Sequence, residues 1–338
     1  MSFIRSQLIT RVRWSRSGIL NHWIRNTTIN CLSTASTPQY IKPTIRSFHT
    51  TASTYQSSSS TTLFTHPYNT LLVSESTAPC NYITVTINRE NVHNAFNAEV
   101  IDEMTSVFTA IHNLYKSNQL AARAVVLTGS GTKSFSSGAD LNWMKSMKQY
   151  TYERNKQDSE YMFNMFHCIS TCPIPTISRI NGSALGGGTG LAAVADMNVA
   201  VDNAIFGLTE VRLGLAPAVI SKWVINKIGS SNSSYYWLTG NRFTAAQGKS
   251  IGLIQHVVND INEMDQYIVD ILQSISSSSP QAVYETKKLI QYVSAQSDYE
   301  SCRNYCTDLI AQLRVSDQGQ EGLNAFLEKR KPSWTTAK

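Results

Sequence analysis

A glycine-rich run at residues 181–190 contains the residue types best placed to do chemistry in this chain of 338 residues. Its sequence is NGSALGGGTG. It follows an apolar, β-branched segment (Thr176–Ile180) that predicts a buried strand, and it precedes an alanine-rich helix start (Leu191–Val194). Glycines between a strand and a helix permit a sharp turn and leave backbone N–H groups free for a ligand. Because a helix N-terminus stabilises negative charge, the run predicts an oxyanion hole.

One isolated carboxylate, Glu210, follows the run after twenty residues, in the sequence LTEV. A base beside an oxyanion hole is sufficient equipment for proton transfer next to a carbonyl group. We interpret Glu210 as that base. The alternative is an ordinary surface carboxylate.

Two nucleotide-binding patterns compete for the glycines and fail on spacing. The run lacks the G-x-G-x-x-G spacing of a dinucleotide site. The sequence GSGTKS at residues 129–134 places Thr132 between glycine and lysine and lacks the upstream spacing of a P-loop. A purely structural glycine turn stays open as an alternative for the run taken by itself.

The first 74 residues have the composition of a mitochondrial import leader. They contain seven Lys or Arg residues and many Ser and Thr residues, and the first acidic residue of the chain is Glu75. The sequence RSFHTT at 46–51 resembles an arginine-based processing site, so we expect a leader over 1–55 and a mature start near Gln56. Residues 56–70 are then a Ser/Thr-rich linker. A disordered low-complexity leader is the alternative.

The net charge of the chain resides largely in this leader. The whole sequence has 29 cations and 23 anions, whereas without the seven leader cations 22 cations face 23 anions. A mature net charge of −1 makes nucleic acid an improbable partner. No apolar run approaches the roughly 20 residues of a membrane-spanning helix, so we expect a soluble protein of the mitochondrial matrix.

The six cysteines form no recognisable metal framework. Cys168 and Cys172, like Cys302 and Cys306, are four residues apart in helical patterns, and no second pair stands at ligand spacing. We therefore expect packed, reduced thiols and no metal site.

The rest of the chain predicts an α/β fold with a helical C-terminal region. Residues 82–87 alternate polar and apolar as a half-buried strand does, and Asn97 offers an N-cap for an amphipathic helix. Further strands are predicted over Ala124–Gly129 and Asp196–Val201, and a helix over Ala139–Met147. Helices dominate after Gly214, including Pro280–Val293 and Ser301–Leu313. Repeated strand-rich units followed by helices favour a core over 71–243 and a helical region over 244–338.

Several separated segments, taken in order, resemble the crotonase, or enoyl-CoA hydratase/isomerase, family. They are NRENVHNAFN (88–97), FSSGADL (135–141), the glycine-rich run, FTAAQ (243–247), GLI (252–254) and AFLEKR (325–330). Within the family, ADLNWMK (139–145) and EVRLGLAPAVIS (210–221) are most similar to methylglutaconyl-CoA hydratases of leucine breakdown. The resemblance implies a spiral of ββα units, an acyl-CoA substrate, no other cofactor, and a homotrimer or homohexamer assembled through the helices after residue 244.

The resemblance also implies roles for individual residues. The backbone N–H groups of Ala139 and Gly187 hold the thioester oxygen, and Glu210 is the catalytic base. The residues expected to contact the substrate or its CoA part are His93, Ala95, Ser137, Asp140, Leu141, Arg212, Phe326 and Lys329. A cationic surface end is an equally simple explanation for Lys329.

One departure from the family pattern bears on the reaction. Hydratases of the family commonly have two glutamates, and this chain has Gly190 at the first of those positions and Glu210 at the second. A single carboxylate is the arrangement expected for a Δ3,Δ2-enoyl-CoA isomerase, although the most similar subgroup shares the glycine. We expect Glu210 to serve both proton transfers of a hydration, with Thr189 orienting the water.

The distal carboxylate of a glutaconyl substrate is expected to meet Arg212, on the same face as Glu210 if that segment is extended. An exposed or subunit-interface cation is an equally good interpretation of Arg212. Three hypotheses therefore stay open: a hydratase of 3-methylglutaconyl-CoA, an isomerase of fatty-acid oxidation, and a non-catalytic acyl-CoA- or RNA-binding protein.

The segment Ser146–Phe166 is interpreted either as a mobile cover over the acyl pocket or as a packed helix.

Overall fold

The computed structural model describes residues 68–335. The predicted leader over 1–55, the processing site and most of the 56–70 linker lie outside these residues.

The described part of the chain contains ten strands and ten α-helices. In chain order the strands are β1 (Leu71–Ser76), β2 (Tyr82–Ile87), β3 (Ala124–Gly129), β4 (Ser134–Ser136), β5 (Thr176–Ile180), β6 (Ser183–Leu185), β7 (Met197–Val201), β8 (Ile205–Gly207), β9 (Arg242–Thr244) and β10 (His256–Val258). The helices are α1 (Ala98–Lys116), α2 (Leu141–Ser146), α3 (Tyr152–Ser170), α4 (Gly187–Val194), α5 (Ser221–Thr239), α6 (Ala245–Ser250), α7 (Ile261–Ser277), α8 (Pro280–Ala295), α9 (Tyr299–Val315) and α10 (Asp317–Leu327).

The strands form two sheets, with the order β1-β2-β3-β5-β7-β10 in the larger and β4-β6-β8-β9 in the smaller. Strands β3, β5 and β7 are parallel neighbours in the first sheet, and β4, β6 and β8 are parallel neighbours in the second. The chain therefore contributes one strand to each sheet and then a helix, three times in succession: β3-β4-α2, β5-β6-α4 and β7-β8-α5. The predicted α/β fold of ββα units is confirmed.

The larger sheet is built from the apolar segments that the sequence marks as strands. On β2 the apolar members Ile83, Val85 and Ile87 are fully buried, and the polar residues between them are partly exposed. Strand β3 is buried along its whole length because it lies inside a parallel sheet covered on both faces. The strands predicted over 82–87, 124–129 and 176–180 have the bounds expected.

Helix α1 begins where its capping residue predicts. The Asn97 side chain accepts a hydrogen bond from the Val100 N–H at 3.0 Å, which satisfies one of the free donors of the first turn. The helix buries an apolar stripe that includes Met104 and Phe108. Helix α3 packs beside it through Met165, Phe166 and Ile169, so the packed-helix interpretation of this part of the chain is correct.

Two predicted helix boundaries are wrong. Helix α4 begins at Gly187, not at Leu191. Its three glycines, which disfavour a helix interior, are closely packed: Gly188 lies against the Ser136 backbone, whereas Gly187 and Gly190 lie against the side chains of Phe96 and Ile220. Helix α2 covers only Leu141–Ser146, and a 3-10 turn at Met147–Gln149 follows it. The region after residue 260 is helical as predicted, and the short strand β10 precedes it.

Candidate active site

A cavity of about 720 Å³ opens between the ends of the smaller sheet, the loop before α1 and the segment that leads into α5. Its walls are mostly apolar. They come from the 92–96 loop, the 137–145 segment, the turn at 185–187, the 209–220 segment and Arg242 on β9. The predicted site residues His93, Ala95, Ser137, Ala139, Asp140, Leu141, Gly187 and Glu210 all line it.

Two backbone turns meet at the floor of this cavity. Gly138 has φ +84°, and a Cβ on it would lie 2.7 Å from the Leu185 carbonyl oxygen and 2.9 Å from the Gly187 nitrogen. Any side chain there would separate the turns, so glycine permits the approach. The contact brings the N–H groups of Ala139 and Gly187 to one wall of the cavity.

Both N–H groups are available to a ligand. Phe96 pairs with the Ala139 region through its own N–H to the Gly138 oxygen and through the Asp140 N–H to the Phe96 oxygen, both at 2.7 Å. That pairing directs the Ala139 N–H away from Phe96. Gly187 is the first residue of α4, where an N–H has no acceptor within the helix. Within residues 68–335, no group accepts a hydrogen bond from either donor.

Glu210 begins a 3-10 helix (Glu210–Leu213) and lines the same cavity. Its Oε1 lies 3.1 Å from the position of a Cβ on Gly186, directly before the turn that presents the Gly187 N–H. Its Oε2 is buried and has no hydrogen-bond partner among the described residues. Burial raises the pKa of this carboxyl above its ordinary value, and a hydrogen bond from its own backbone N–H offsets the rise only in part.

No second carboxylate stands where the sequence has Gly190. A Cβ on Gly190 would lie 2.5 Å from Cγ2 of Ile220, so Ile220 fills the space in front of this helix position. Ile220 also lines the cavity. The neighbouring Thr189 is fully buried, and its Oγ1 hydrogen-bonds the carbonyl oxygens of Ala184 and Gly207 at 2.8 and 3.1 Å. The expectation that Thr189 orients water is therefore wrong, because its hydroxyl is committed to the backbone.

The Asp140 carboxylate is held by protein groups. It caps α2 by accepting from the Asn142 and Trp143 N–H groups at 2.8 and 3.4 Å, and Arg89 donates to it at 3.1 Å. Burial alone would raise the pKa of Asp140, but the hydrogen bonds from Asn142 and Arg89 outweigh it and hold the pKa below its ordinary value. Asp140 thus fixes the turn that carries the Ala139 N–H.

The loop that carries His93 and Ala95 is tied down from beneath. Asn94 is buried and has φ +55°, and its side-chain amide donates to the Ser130 and Ser134 carbonyl oxygens at 3.0 and 2.8 Å. Arg89 also donates to the Ala95 oxygen at 2.6 Å. Because one guanidinium contacts this loop and Asp140 together, the two loops at the cavity rim form one unit.

Arg212 does not face the cavity. Residues 210–213 form a 3-10 helix and not the extended segment on which its prediction depended, so Arg212 does not share a face with Glu210. Its Nη2 donates to the Asn241 side-chain oxygen at 3.2 Å, and its stem lies against Gly240. The geometry expected for Arg212 is wrong, because a helical turn rotates alternate residues apart.

Phe326 and Lys329 lie at the end of α10, outside the cavity walls of this chain. Phe326 is 79% exposed and Lys329 has φ +54° just after the helix. Their contact with the CoA part of a substrate stays a prediction.

The cavity residues that the sequence interpretation missed include Lys145 on α2, Met162 on α3 and Arg242 on β9. Arg242 directly precedes the FTAAQ segment (243–247), but the sequence of a three-residue strand does not indicate which way the arginine side chain points. Within the described range, no group of three or more His, Cys, Asp or Glu side chains is arranged to hold a metal ion. Nor is any helix between residues 68 and 335 both long and apolar enough to cross a bilayer.

Comparison with known proteins identifies a family for this chain. The model of the enoyl-CoA hydratase/isomerase family matches residues 78–337. The chain belongs to that family. Crotonase-family members act on acyl-CoA thioesters.

Individual relatives span most of this family chain. A short-chain-enoyl-CoA hydratase of Clostridium acetobutylicum is 30% identical over 248 residues, which cover 73% of this chain and 91% of that protein. A probable mitochondrial enoyl-CoA hydratase of Dictyostelium discoideum is 30% identical over 251 residues, with 74% and 86% covered. The crystal structure of an enoyl-CoA hydratase from Shewanella pealeana superposes with a TM-score of 0.72 at 32% identity, covering 79% of this chain and 96% of that one.

Proposed function

We propose that this family member hydrates a 2-enoyl-CoA thioester with Glu210 as its single carboxylate base. One observation carries the proposal: the partly buried Glu210 lines the same cavity as Ala139 and Gly187, whose N–H groups are free. A proton acceptor and two donors for a developing oxyanion are the groups that addition to a conjugated thioester needs.

In the proposed reaction the thioester oxygen accepts hydrogen bonds from Ala139 and Gly187. Glu210 removes a proton from water as the water oxygen bonds to Cβ of the enoyl group, and the displaced electron pair moves through Cα to the thioester oxygen. The enolate-like charge lies between two preorganised donors, and loss of one such donor costs about 10² to 10³ in rate. Collapse of the enolate then takes a proton at Cα.

Glu210 also supplies that second proton. Among the described residues, no other free acid is available for this step. Position 190 carries no carboxylate, and Ile220 fills the space beside it, whereas the Asp140 carboxylate is paired with Arg89. Protonated Glu210, its pKa raised by burial, returns to Cα the proton that it took from water. The addition is therefore syn and leaves Glu210 ionised for the next turnover. The scheme requires no metal and no cofactor besides the CoA of the substrate.

The preferred substrate in this proposal is 3-methylglutaconyl-CoA, an intermediate of leucine breakdown. The segments 139–145 and 210–221, whose similarity to that subgroup supports the choice, both line the cavity. Isomerisation of a Δ3-enoyl-CoA to the Δ2 isomer is the second candidate, because a single base with an oxyanion hole also shuttles a proton between two carbons. A non-catalytic acyl-CoA- or RNA-binding role is the third.

A parallel turnover assay separates the candidates. The chain starting at Gln56 is given 3-methylglutaconyl-CoA, crotonyl-CoA and trans-3-hexenoyl-CoA, and products are resolved by liquid chromatography with mass detection. Hydration of the first substrate well above the others supports the proposal. Double-bond migration in the hexenoyl substrate without any hydration establishes the isomerase, and no turnover with retained acyl-CoA binding establishes a binding protein.

We further propose import into the mitochondrial matrix and assembly as a homotrimer or homohexamer. The acid-free leader supports the first. Exposed apolar side chains on the C-terminal helices support the second, among them Ile290, Val315 and Leu323 at 63%, 78% and 52% exposure. Fractionation of tagged cells and light scattering of the purified protein test the two proposals separately.

A further inference from the structure

We infer that Arg242 binds a second carboxylate at the far end of the acyl group, so that the cavity selects dicarboxylic over monocarboxylic enoyl-CoA substrates. The inference rests on the proposed function and adds to it a residue that determines specificity. It is independent of the catalytic role of Glu210.

Arg242 is a cation without a partner. It lines the cavity from β9, and no acceptor or anion in the described part of the chain pairs with its guanidinium. By contrast, Arg212 donates a hydrogen bond to the side chain of Asn241, which directly precedes Arg242, and Arg89 is paired with Asp140. A guanidinium at the edge of an apolar cavity is suited to an anionic ligand, because its planar donors match a carboxylate in bidentate fashion.

The stem of Arg242 is directed by the smaller sheet. Gly207 on β8 pairs with Arg242 on β9, and a Cβ on Gly207 would lie 3.1 Å from Cγ of Arg242. The absence of a side chain at Gly207 therefore provides the surface over which the arginine stem lies. Gly207 also pairs with Leu185 on β6 and accepts from the Gly186 N–H at 2.8 Å.

This strand order places the backbone of Arg242 near the glycine-rich turn. The backbones of Leu185 and Arg242 are separated by two strand spacings, about 10 Å. Gly187, Glu210 and Arg242 all line the cavity. A short acyl group whose thioester oxygen is held at Gly187 therefore has both the Glu210 carboxylate and the Arg242 guanidinium on the walls around it.

Arg242 does not pair with Glu210. No ion pair joins them, and no cationic group lowers the pKa of Glu210. The Arg242 guanidinium is thus free to bind a ligand, and it does not neutralise the negative charge of Glu210. Lys145 is the competing cation, because it is exposed and lines the wall formed by α2. Lys145 belongs to the segment that follows the Ala139 turn, whereas Arg242 belongs to β9.

Binding of saturated ligands tests the inference without relying on turnover. Glutaryl-CoA and butyryl-CoA are titrated calorimetrically into the wild-type chain and into Arg242→Met, Lys145→Met and Arg212→Met. We expect Arg242→Met to weaken glutaryl-CoA by about 10- to 100-fold, since a hydrogen bond to a charged group contributes on that scale. Butyryl-CoA binding to all four proteins, and glutaryl-CoA binding to the other two variants, should stay within about twofold of wild type.

The outcomes are decisive in both directions. Equal weakening of the two ligands by Arg242→Met overturns the inference in favour of a structural role, and an effect confined to Lys145→Met assigns the carboxylate to that lysine instead. Unchanged glutaryl-CoA binding by Arg242→Met also overturns it. Failure of the proposed function appears separately, as absence of hydration by the wild-type chain in the turnover assay.

Discussion

The carboxylate of Glu210 lies over Gly186, with Oε1 3.1 Å from the point where a Cβ would stand. Gly186 has φ +50°, a conformation that side chains rarely adopt, and the next residue presents the free Gly187 N–H. The Glu210 carboxylate and the free Gly187 N–H are therefore adjacent across a single backbone turn. In the proposed reaction, this packing brings Cα of a thioester held at Gly187 close to Glu210.

Glu210→Gln should reduce kcat by about 10² to 10⁴, the usual contribution of a positioned general base. The amide has the same shape but accepts no proton, so acyl-CoA binding should persist. Steady-state kinetics and calorimetry with a saturated acyl-CoA measure the two effects.

Glu300→Gln is the matched control, because Glu300 is an exposed glutamate on α9 whose ion-pair partner among residues 68–335 is Arg303 alone. It should leave kcat unchanged. Near-normal turnover by Glu210→Gln would remove Glu210 from the reaction and, with it, the proposed mechanism.

Glu210→Gln should also stabilise the fold at neutral pH. Burial raises the pKa of Glu210 in the folded state, so the folded state binds this proton more tightly than the unfolded state does. The ionised carboxylate therefore lowers stability above the raised pKa, and this cost disappears as pH falls to the ordinary value of 4.5. The Tm advantage of the variant should be largest near neutral pH and vanish near pH 4.5. A pH-independent difference contradicts this account.

A double-mutant cycle at Gly190 and Ile220 should show coupling between the two positions. Gly190→Ala places a Cβ 2.5 Å from Ile220 Cγ2 and should cost about 1–3 kcal/mol by overpacking. Ile220→Ala should cost about 2–5 kcal/mol by opening a cavity. In the Ile220→Ala background the contact with Cγ2 is removed and only the 3.1 Å contact with the Cβ of residue 220 remains, so Gly190→Ala should cost less than it does in the wild-type chain. Chemical denaturation measures all four proteins, and simple additivity contradicts the contact.

Asp140→Ala should lower both stability and kcat, whereas Asp140→Asn should have a smaller effect on each. Alanine removes the cap of α2, a loss of about 0.5–2 kcal/mol, and also leaves Arg89 unpaired. Asparagine keeps an acceptor for the Asn142 and Trp143 N–H groups. Thermal unfolding and turnover are measured together, and identical behaviour of the two variants would argue that the carboxylate contacts substrate directly.

Local chemistry made part of this fold predictable from sequence. The strands at 82–87, 124–129 and 176–180 are apolar segments long enough to show a pattern, and Asn97 has the side chain that a helix start needs. Each of the four strands in the smaller sheet has only three residues, which are too few for an alternating pattern to reveal a strand. Their pairing comes from tertiary packing.

The candidate site divides in the same way. The glycine-rich turn and Glu210 could be proposed from the sequence, because a run of glycines indicates an unusual backbone turn and Glu210 is an isolated carboxylate after it. Arg212 was misplaced and Arg242 was missed, since the direction of an exposed arginine depends on its strand neighbours and not on its own segment. Ile220 could not be connected with Gly190 from the sequence, because 29 residues lie between them and their contact is made only in the fold.

That contact has an evolutionary consequence. A second carboxylate at position 190 collides with Ile220, and shortening Ile220 first leaves a destabilising void beside α4. Each single substitution is thus disfavoured by packing. The Gly190–Ile220 contact therefore opposes a one-step gain of a second glutamate at position 190.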